Sequence, residues 1–206
     1  MPTSRTSSRS APTSWPTHLA SNLSDPVLFF PDNTALNNFA LVHLMDELAE
    51  LVGERGRWCA TIADECTNGA RFPGLEDMTK APSIFGDPLY PVGAEYTDMQ
   101  VIRERLMKPG DSSTSHLGEA ETIAIITRRR IRGFFVTDDR DAQREAKSAG
   151  IQPVTTWEIL RLMVRMGRVT VAQFHDHAAT LQSLGRGRPP GWPDRGVVER
   201  WLTGSH

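Results

Sequence analysis

Residues 116–160 read HLGEAETIAIITRRRIRGFFVTDDRDAQREAKSAGIQPVTTWEIL, and within this stretch helix-like and strand-like patterns alternate. Apolar residues recur at helical spacing over 116–130, and this spacing predicts a helix with one face in the core. Short apolar runs predict strands over 131–137 and 151–154, and the polar segment between them, which Gly150 closes, predicts a second helix. Strands that alternate with helices are typical of a parallel sheet covered by helices, so the sequence predicts an α/β fold.

The chain upstream repeats this alternation. VLFF at 27–30 predicts a first buried strand, helical spacing over 34–52 predicts one long helix, and RWCATI at 57–62 predicts a second strand. Residues 71–96 are rich in Pro and Gly, so they predict a long loop that could be a lid, a partner site or an insertion. Thr97 is the predicted N-cap of the next helix.

Downstream of this region, the sequence predicts two further helices. Thr155 and Glu158 have the spacing of a capping box and predict a helix start. Residues 170–184 predict the last clear helix. Beyond it, VVERWL predicts a short terminal helix. We expect Trp192 and Trp201 to contact a partner or to be disordered.

Composition limits the class of protein. The chain has 206 residues and a formal net charge of −2, so no global basic field marks a nucleic-acid partner, and no apolar run reaches membrane-spanning length. Residues 1–26 predict a disordered N-terminal tail, 27–185 a single domain, and 186–206 a C-terminal tail. Cys59 and Cys66 would lie about 10 Å apart on one helix, too far for a disulfide, so we expect buried free thiols in the reducing cytoplasm.

Acidic residues mark the ends of the predicted strands. Asp32 ends the first strand, and Asp138, Asp139 and Asp141 follow FFVT. The ligand site of a parallel sheet lies outside the carboxyl ends of its strands, so we expect these acids at one edge. Carboxylate clusters suit Mg²⁺ or Mn²⁺, whereas acids at a helix start also stabilise the helix dipole, so both interpretations of the TDDRD turn remain open.

Two glutamates at predicted helix starts complete the candidate set. Glu65 lies in the first turn of the helix after the predicted second strand, where Asp64 competes with it. Glu119 lies near the start of the helix over 116–130, whereas its neighbour Glu121 is expected to be solvated. No histidine is a predicted ligand, because His175 and His177 would point about 200° apart on a helix and His43 and His116 are isolated.

Four stretches resemble PIN-domain ribonucleases, which include the VapC-like toxins of bacterial toxin–antitoxin pairs. VLFFPDNTALNNFA (27–40) resembles the family's opening strand and aspartate, and WCATIADEC (58–66) is similar to the helix that bears its glutamate. Residues 116–160 follow the pattern of the Gly-Glu-Ala-Glu subgroup most specifically. The segment that continues through Leu184 is similar to the family's trailing helices.

This resemblance implies a three-layer α/β/α sandwich and a metal-dependent endoribonuclease that hydrolyses RNA with a metal-activated water. It also implies an antitoxin protein partner and a homodimer. The implied catalytic and Mg²⁺- or Mn²⁺-binding quartet is Asp32, Glu65, Glu119 and Asp139. Asp138 and Asp141 compete for the fourth place, and Thr137 or Thr34 would orient water or a ligand. Repulsion among these carboxylates should raise at least one pKa in the metal-free protein.

Other interpretations of the same residues remain. A PIN-fold protein without activity would act as an interaction or RNA-binding module, and a DNA-directed nuclease is a third possibility. Pro31 precedes Asp32 where an aliphatic residue is expected, so the first strand must end early or lie near an edge. The RRRIR run at 128–132 suits either a helix C-terminus or RNA phosphates, and Arg186 and Arg188 favour ordinary solvated surface.

Overall fold

The structure of the protein is a computed structural model, and it describes residues 26–204. The predicted N-terminal tail, 1–26, therefore lies outside the described residues except for Pro26. Among the described helices, none is long and apolar enough to cross a bilayer.

Three parallel strands form the sheet in the described part of the chain, in the order β1–β2–β3. β1 covers Leu28–Pro31, β2 covers Gly133–Val136 and β3 covers Gln152–Val154. Pro31 lies opposite Val136 at the end of β1. Because β1 is an edge strand, it tolerates a residue that has no amide hydrogen to donate. The predicted α/β class and the parallel sheet are confirmed.

The predicted second strand at 57–62 is wrong. Gly56 forms an isolated bridge with Phe29, and Cys59 forms another with Leu89. Ala60 already begins α3 (Ala60–Gly69). The extended segment is therefore too short for a ladder, and it adds only single contacts beside the sheet.

The predicted long helix over 34–52 is two helices, α1 (Asn33–Leu41) and α2 (Met45–Val52). His43 lies between them in the left-handed region, with a φ of 55°. The amide of His43 donates to Ala40 O, and the amide of Leu44 donates to Phe39 O. These two bonds close the C-terminus of α1 in the manner of a helix stop, although no glycine marks it.

Seven further α-helices follow in the described part of the chain. They are α4 (Ala81–Phe85), α5 (Glu95–Leu106), α6 (Leu117–Arg128), α7 (Arg140–Ser148), α8 (Thr156–Arg165), α9 (Val171–Ser183) and α10 (Arg195–Thr203). The capping box of Thr155 and Glu158 is confirmed at the start of α8.

The region between α3 and α6 differs most from the sequence prediction. The predicted loop over 71–96 contains α4 and a 3₁₀ helix at Glu76–Lys80. Thr97 is not an N-cap, because α5 begins at Glu95. The Glu95 carboxylate accepts the amide of Val92 and pairs with the Arg129 guanidinium at the end of α6. This ion pair attaches the start of α5 to the end of α6.

Helices cover both faces of the sheet. Phe29 and Val136 belong to one core, built with α1, α2, α8 and α9, whereas Phe30 and Phe135 belong to a second core with α5, α6 and α7. Alternate residues of a strand point to opposite faces, so β1 and β2 each contribute to both cores. This arrangement is compatible with three layers, although the sheet is small.

Residues 186–204 of the predicted C-terminal tail pack against the domain. Val198 and Leu202 of α10 are fully buried in the core that includes α8 and α9. Trp192 and Trp201 are partly buried against the same core. The guanidinium of Arg161 in α8 donates to Leu202 O and lies over the Trp201 ring. Cys59 and Cys66 are free and buried, as predicted.

Candidate active site

Asp32 lies at the carboxyl end of β1, where the chain passes into α1. Its amide donates to Val136 O of the neighbouring strand at 2.9 Å, and its Oδ1 accepts the Ala35 amide as the N-cap of α1. The side chain is 2% exposed, and Oδ2 is buried without a hydrogen-bond partner. An acceptor oxygen is therefore left unsatisfied inside the protein, which is costly unless a donor or a cation binds it.

The surroundings of Asp32 favour its neutral form in the metal-free protein. Burial raises the pKa of this carboxyl to about 8, and the negative charges of Glu119 and Asp138 act in the same direction. The Thr137 hydroxyl and the Ala35 amide partly oppose the shift. The predicted rise of a pKa in this cluster is confirmed, but burial contributes more to it than repulsion does.

Asp139 follows β2. The sequence left open whether the acids of this turn cap a helix or bind a metal ion. Asp139 Oδ1 accepts the amides of Asp141 and Ala142, so the residue is the N-cap of α7. The Asp139 amide donates to the Thr137 hydroxyl at 3.2 Å, which fixes the turn after the strand. Since one oxygen makes both cap bonds, Oδ2 stays outside the cap.

Asp138 is held by a chain of hydrogen bonds from three distant segments. Its carboxylate accepts the amide and the hydroxyl of Thr156 and, at 2.9 Å, the Asn38 side-chain amide. Asn38 Oδ1 in turn accepts Arg186 Nε at 2.8 Å. Burial raises the pKa of Asp138, whereas these hydrogen bonds and the Arg186 charge lower it. Asp138 therefore joins β2, α1, α8 and the segment after α9.

Asp141 differs from the other two aspartates of the turn. Its two oxygens pair with Lys108 and Arg144. The hydrogen bond from Lys108 lowers the pKa of this carboxyl below its usual range. Asp141 is thus engaged with surface cations rather than with the buried carboxylates.

Glu65 and Glu119 reach the same region from α3 and α6. Gly118 allows these helices to approach, because a Cβ at this position would lie 2.3 Å from Ile62 Cδ1 and 3.7 Å from Glu65 Oε2. Burial raises the pKa of Glu65 to about 7, and the charges of Glu119 and Glu121 add to the shift. The pKa of Glu119 is also raised by burial, with a smaller contribution from Asp139.

The other residues considered near the predicted ligands differ in their exposure. Asp64, the rival of Glu65, is exposed. Glu121 was expected to be solvated, and this expectation is wrong, because the residue is 2% exposed. Its Oε2 accepts the Thr61 amide in the first turn of α3 and so attaches that helix to α6. Thr34 is exposed, whereas Thr137 is buried beside Asp32.

The structure therefore brings five of the six predicted acids into one electrostatically coupled region. They are Asp32, Glu65, Glu119, Asp138 and Asp139. All supply carboxylate oxygens, which suit a hard divalent cation, and the unpartnered Oδ2 of Asp32 offers it a free ligand atom. Within residues 26–204, however, no three Asp, Glu, His or Cys side chains already form a metal-holding group. The residues fit Mg²⁺ or Mn²⁺ in chemistry, and binding would require their side chains to draw together.

Sequence reasoning missed two polar residues that support this region. Asn38 is 1% exposed and lies among the apolar positions of α1. A polar residue at such a position could have been recognised in the sequence as a candidate for a buried polar contact. Arg186 was expected at an ordinary solvated surface. Its contact with Asn38 depends on the path of the chain after α9, which no local pattern reveals.

Family models, curated proteins and solved structures were each compared with the chain, and none of them gives a match.

Proposed function

We propose that the chain is a Mg²⁺- or Mn²⁺-dependent endoribonuclease with a PIN-like three-layer fold. The observation that carries this proposal is the buried, unpartnered Oδ2 of Asp32, which lies within electrostatic reach of Glu119 and Asp138 at the carboxyl edge of the sheet. Burying several carboxyl groups together costs stability, whether they stay charged or are forced into the neutral form. Such an arrangement is typical of a functional site.

The roles of the chain's own residues follow from their contacts. When bound, a Mg²⁺ or Mn²⁺ ion supplies a water of lowered pKa and neutralises charge on the phosphodiester. Asp32, Glu119 and Asp139 would hold the ion, with Glu65 as the fourth ligand from α3. Asp138, fixed by its hydrogen bonds, would position its neighbours and contribute negative charge.

A cationic groove beside the acids supports RNA as the substrate. Arg105, Lys108 and Arg144 line a cavity of about 400 Å³ that also borders Asp141. All three side chains are more than half exposed. Arg105 pairs with Glu145, whereas Lys108 and Arg144 pair with Asp141, so the phosphates of an RNA strand would compete with these two carboxylates for the three exposed cations.

The toxin role, the antitoxin partner and the homodimer rest on the resemblance of residues 27–185 to PIN-domain toxins. One surface feature suits a protein partner. Tyr90, Val92 and Tyr96 are each more than half exposed around the start of α5. Neighbouring exposed apolar side chains of this kind are typical of interaction sites.

Incubation of the protein with mixed RNA and Mg²⁺ or Mn²⁺ tests the proposal. We expect cleavage by the wild type and its loss in Asp32→Asn and Glu119→Gln. Asp64→Asn, an exposed change on α3, is the matched control and should cleave normally. Equal cleavage by the wild type and both site variants would contradict the assignment.

A second function remains a candidate because of a specific observation. The described residues hold no preformed group of three metal-ligand side chains. This favours a PIN-fold interaction or RNA-binding module without activity. In that case, Mn²⁺ would give no thermal stabilisation and RNA would bind without being cut, whereas a single-stranded DNA substrate in the same assay would detect a DNA nuclease.

A further inference from the structure

His116 occupies an unusual position next to the acidic region. It is the N-cap of α6, three residues before Glu119, and its backbone is left-handed with a φ of 62°. Histidine is, with Asn and Asp, among the non-glycine residues that adopt this conformation most often, so the backbone alone does not mark a site. The side chain is only 16% exposed, and it makes no capping bond to the helix.

The loop before His116 is held firmly in place from α5. Arg103 Nε donates to Ser115 O at 2.9 Å, and its Nη2 donates to Ser113 O at 2.6 Å. Within the same loop, Asp111 Oδ2 accepts the Lys108 amide at 2.7 Å. The position of the Asp111 carboxylate, and with it that of the imidazole, is therefore fixed by the fold.

The contact with Asp111 determines which imidazole nitrogen is free. His116 Nε2 lies 3.2 Å from Asp111 Oδ2, and a carboxylate only accepts, so Nε2 carries the hydrogen. In the neutral ring, Nδ1 then presents a lone pair. This Nδ1 is buried, has no hydrogen-bond partner and lies 4.0 Å from Glu119 Oε2.

A lone pair that faces a carboxylate oxygen is unfavourable unless a proton on Nδ1 or a metal ion lies between them, and a separation of 4.0 Å is too long for a hydrogen bond. Two ligands of one ion, each about 2.1 Å from it, can be separated by at most ~4.2 Å. The observed 4.0 Å lies within this limit. A carboxylate that accepts from the other nitrogen of a metal-binding histidine is also the usual support for such a ligand.

We propose that His116 Nδ1 is a metal ligand beside Glu119, which gives the centre a preference for first-row transition ions over Mg²⁺. Imidazole nitrogen suits transition ions, whereas Mg²⁺ binds oxygen ligands and water. The inference shares with the proposed function only the placement of a cation at Glu119. It adds a nitrogen ligand to a site that the sequence describes as purely carboxylate.

Untagged protein in the absence of RNA tests the inference by spectroscopy and by binding. Electron spin-echo spectra of protein-bound Mn²⁺ should show coupling to a ¹⁴N nucleus of imidazole. In His116→Asn, which tolerates the left-handed backbone, this coupling should disappear. The Kd for Co²⁺ should rise at least ~10-fold, while the Kd for Mg²⁺ should change less than about threefold.

His43→Asn is a matched control. His43 is also left-handed, with a φ of 55°, and its Nδ1 contacts Asp77, but it lies at the opposite end of α1 from Asp32. This variant should keep the nitrogen coupling and both affinities. Oxygen-only coordination of Mn²⁺ in the wild type, an unchanged Co²⁺ affinity in His116→Asn, or the absence of any metal binding would each overturn the inference.

These outcomes separate the inference from the proposed function. Nitrogen coupling without RNA cleavage would support the ligand and contradict the nuclease. Cleavage with oxygen-only coordination would support the nuclease and contradict the nitrogen ligand. If His116→Asn fails to fold, oxygen-only coordination in the wild-type spectrum would still overturn the inference.

Discussion

At the residue scale, Asp139 serves two purposes with its two oxygens. Oδ1 accepts two amides at the start of α7, and Oδ2 remains outside that cap. Capping and metal binding are therefore compatible in one side chain. The two roles can be separated, because asparagine retains a capping oxygen but has no charge.

Asp139→Asn should fold with a free energy of unfolding within about 0.5 kcal/mol of wild type, because Asn and Asp cap equally well. Asp139→Ala should lose about 1 kcal/mol, the usual value of an N-cap. In both variants, Mn²⁺ should no longer raise the free energy of unfolding. Urea denaturation with and without Mn²⁺ measures both effects.

Asp194 provides the control for this pair, since it caps α10 through the Val197 amide without belonging to the acidic region. Asp194→Asn and Asp194→Ala should reproduce the stability pattern and keep the response to Mn²⁺. If Asp139→Asn binds Mn²⁺ as well as the wild type does, Oδ2 of Asp139 is not a ligand.

Asp32 makes stability depend on pH. Its pKa rises from 3.8 to about 8 on folding, so between these values the folded chain binds more protons than the unfolded chain. Stability of the metal-free protein therefore falls as pH rises through this range and levels off above it. Asp32→Asn keeps the cap on Ala35 and removes the charge.

We expect Asp32→Asn to be more stable than the wild type at pH 8 in EDTA, with a smaller loss of Tm between about pH 5 and pH 8. Mn²⁺ should stabilise the wild type but not Asp32→Asn at pH 8. Thermal melts across this pH range test the expectation, with Asp64→Asn as the exposed control. Parallel pH profiles for wild type and Asp32→Asn would show that the raised pKa is not that of Asp32.

Much of the residue-level picture could be predicted from the sequence, because acids at strand ends fall at one edge of a parallel sheet. The partners of each acid could not. Asn38, Thr156 and Arg186 all support Asp138, and they lie 100, 18 and 48 residues from it in the chain. Hydrogen bonds over such separations depend on tertiary packing, which periodicity does not encode.

At the scale of elements, the approach of α3 to α6 decides where the two glutamates lie. Gly118 leaves the space that Ile62 Cδ1 occupies, and Glu121 attaches the start of α3 through the Thr61 amide. The Gly-Glu-Ala-Glu segment thus contributes a close contact, a candidate ligand and a helix anchor. Only the second of these roles was expected from the sequence.

Gly118→Ala should destabilise the protein by about 1 kcal/mol, because a Cβ would overlap Ile62 Cδ1 and force a local shift. Gly118→Ala combined with Ile62→Val should cost less than the two single changes added together, since valine lacks the overlapping methyl group. Urea denaturation of the four proteins in this cycle provides the measurement. Strict additivity would mean that this contact does not set the distance between α3 and α6.

Element types were easier to predict than element limits. The capping box of Thr155 and Glu158 and the strand–helix alternation after residue 116 are local signals, and they hold. The stop at His43 and the helical turns within 71–96 are set by packing against α2, α3 and their neighbours. A left-handed histidine and a Pro-rich helix start give weak local signals.

At the scale of the whole molecule, the segment after α9 forms part of the domain and of the site's support. α10 buries Val198 and Leu202, and Arg186 reaches Asn38. A chain segment that returns to the core in this way also fixes the residues that precede it. The acids at the carboxyl edge of the sheet therefore depend on packing by residues after 185, the predicted end of the domain.

Leu202→Ala should destabilise the protein by roughly 2–5 kcal/mol, the usual range for a fully buried leucine. Leu184→Ala is its control and should change stability little, because Leu184 is 52% exposed. Urea denaturation of both variants distinguishes the two sites. A negligible effect of Leu202→Ala would show that α10 does not pack on the domain.

The pairing of β1 with β2 has a consequence for the order in which the site appears during synthesis. β1 emerges from the ribosome before β2, its only ladder partner among the described strands, which follows about a hundred residues later. Asp32 cannot meet the aspartates after β2 until that strand has been translated, and Arg186 comes later still. Under the proposed function, the ribonuclease site would therefore stay incomplete near its own messenger until the segment after α9 had been made.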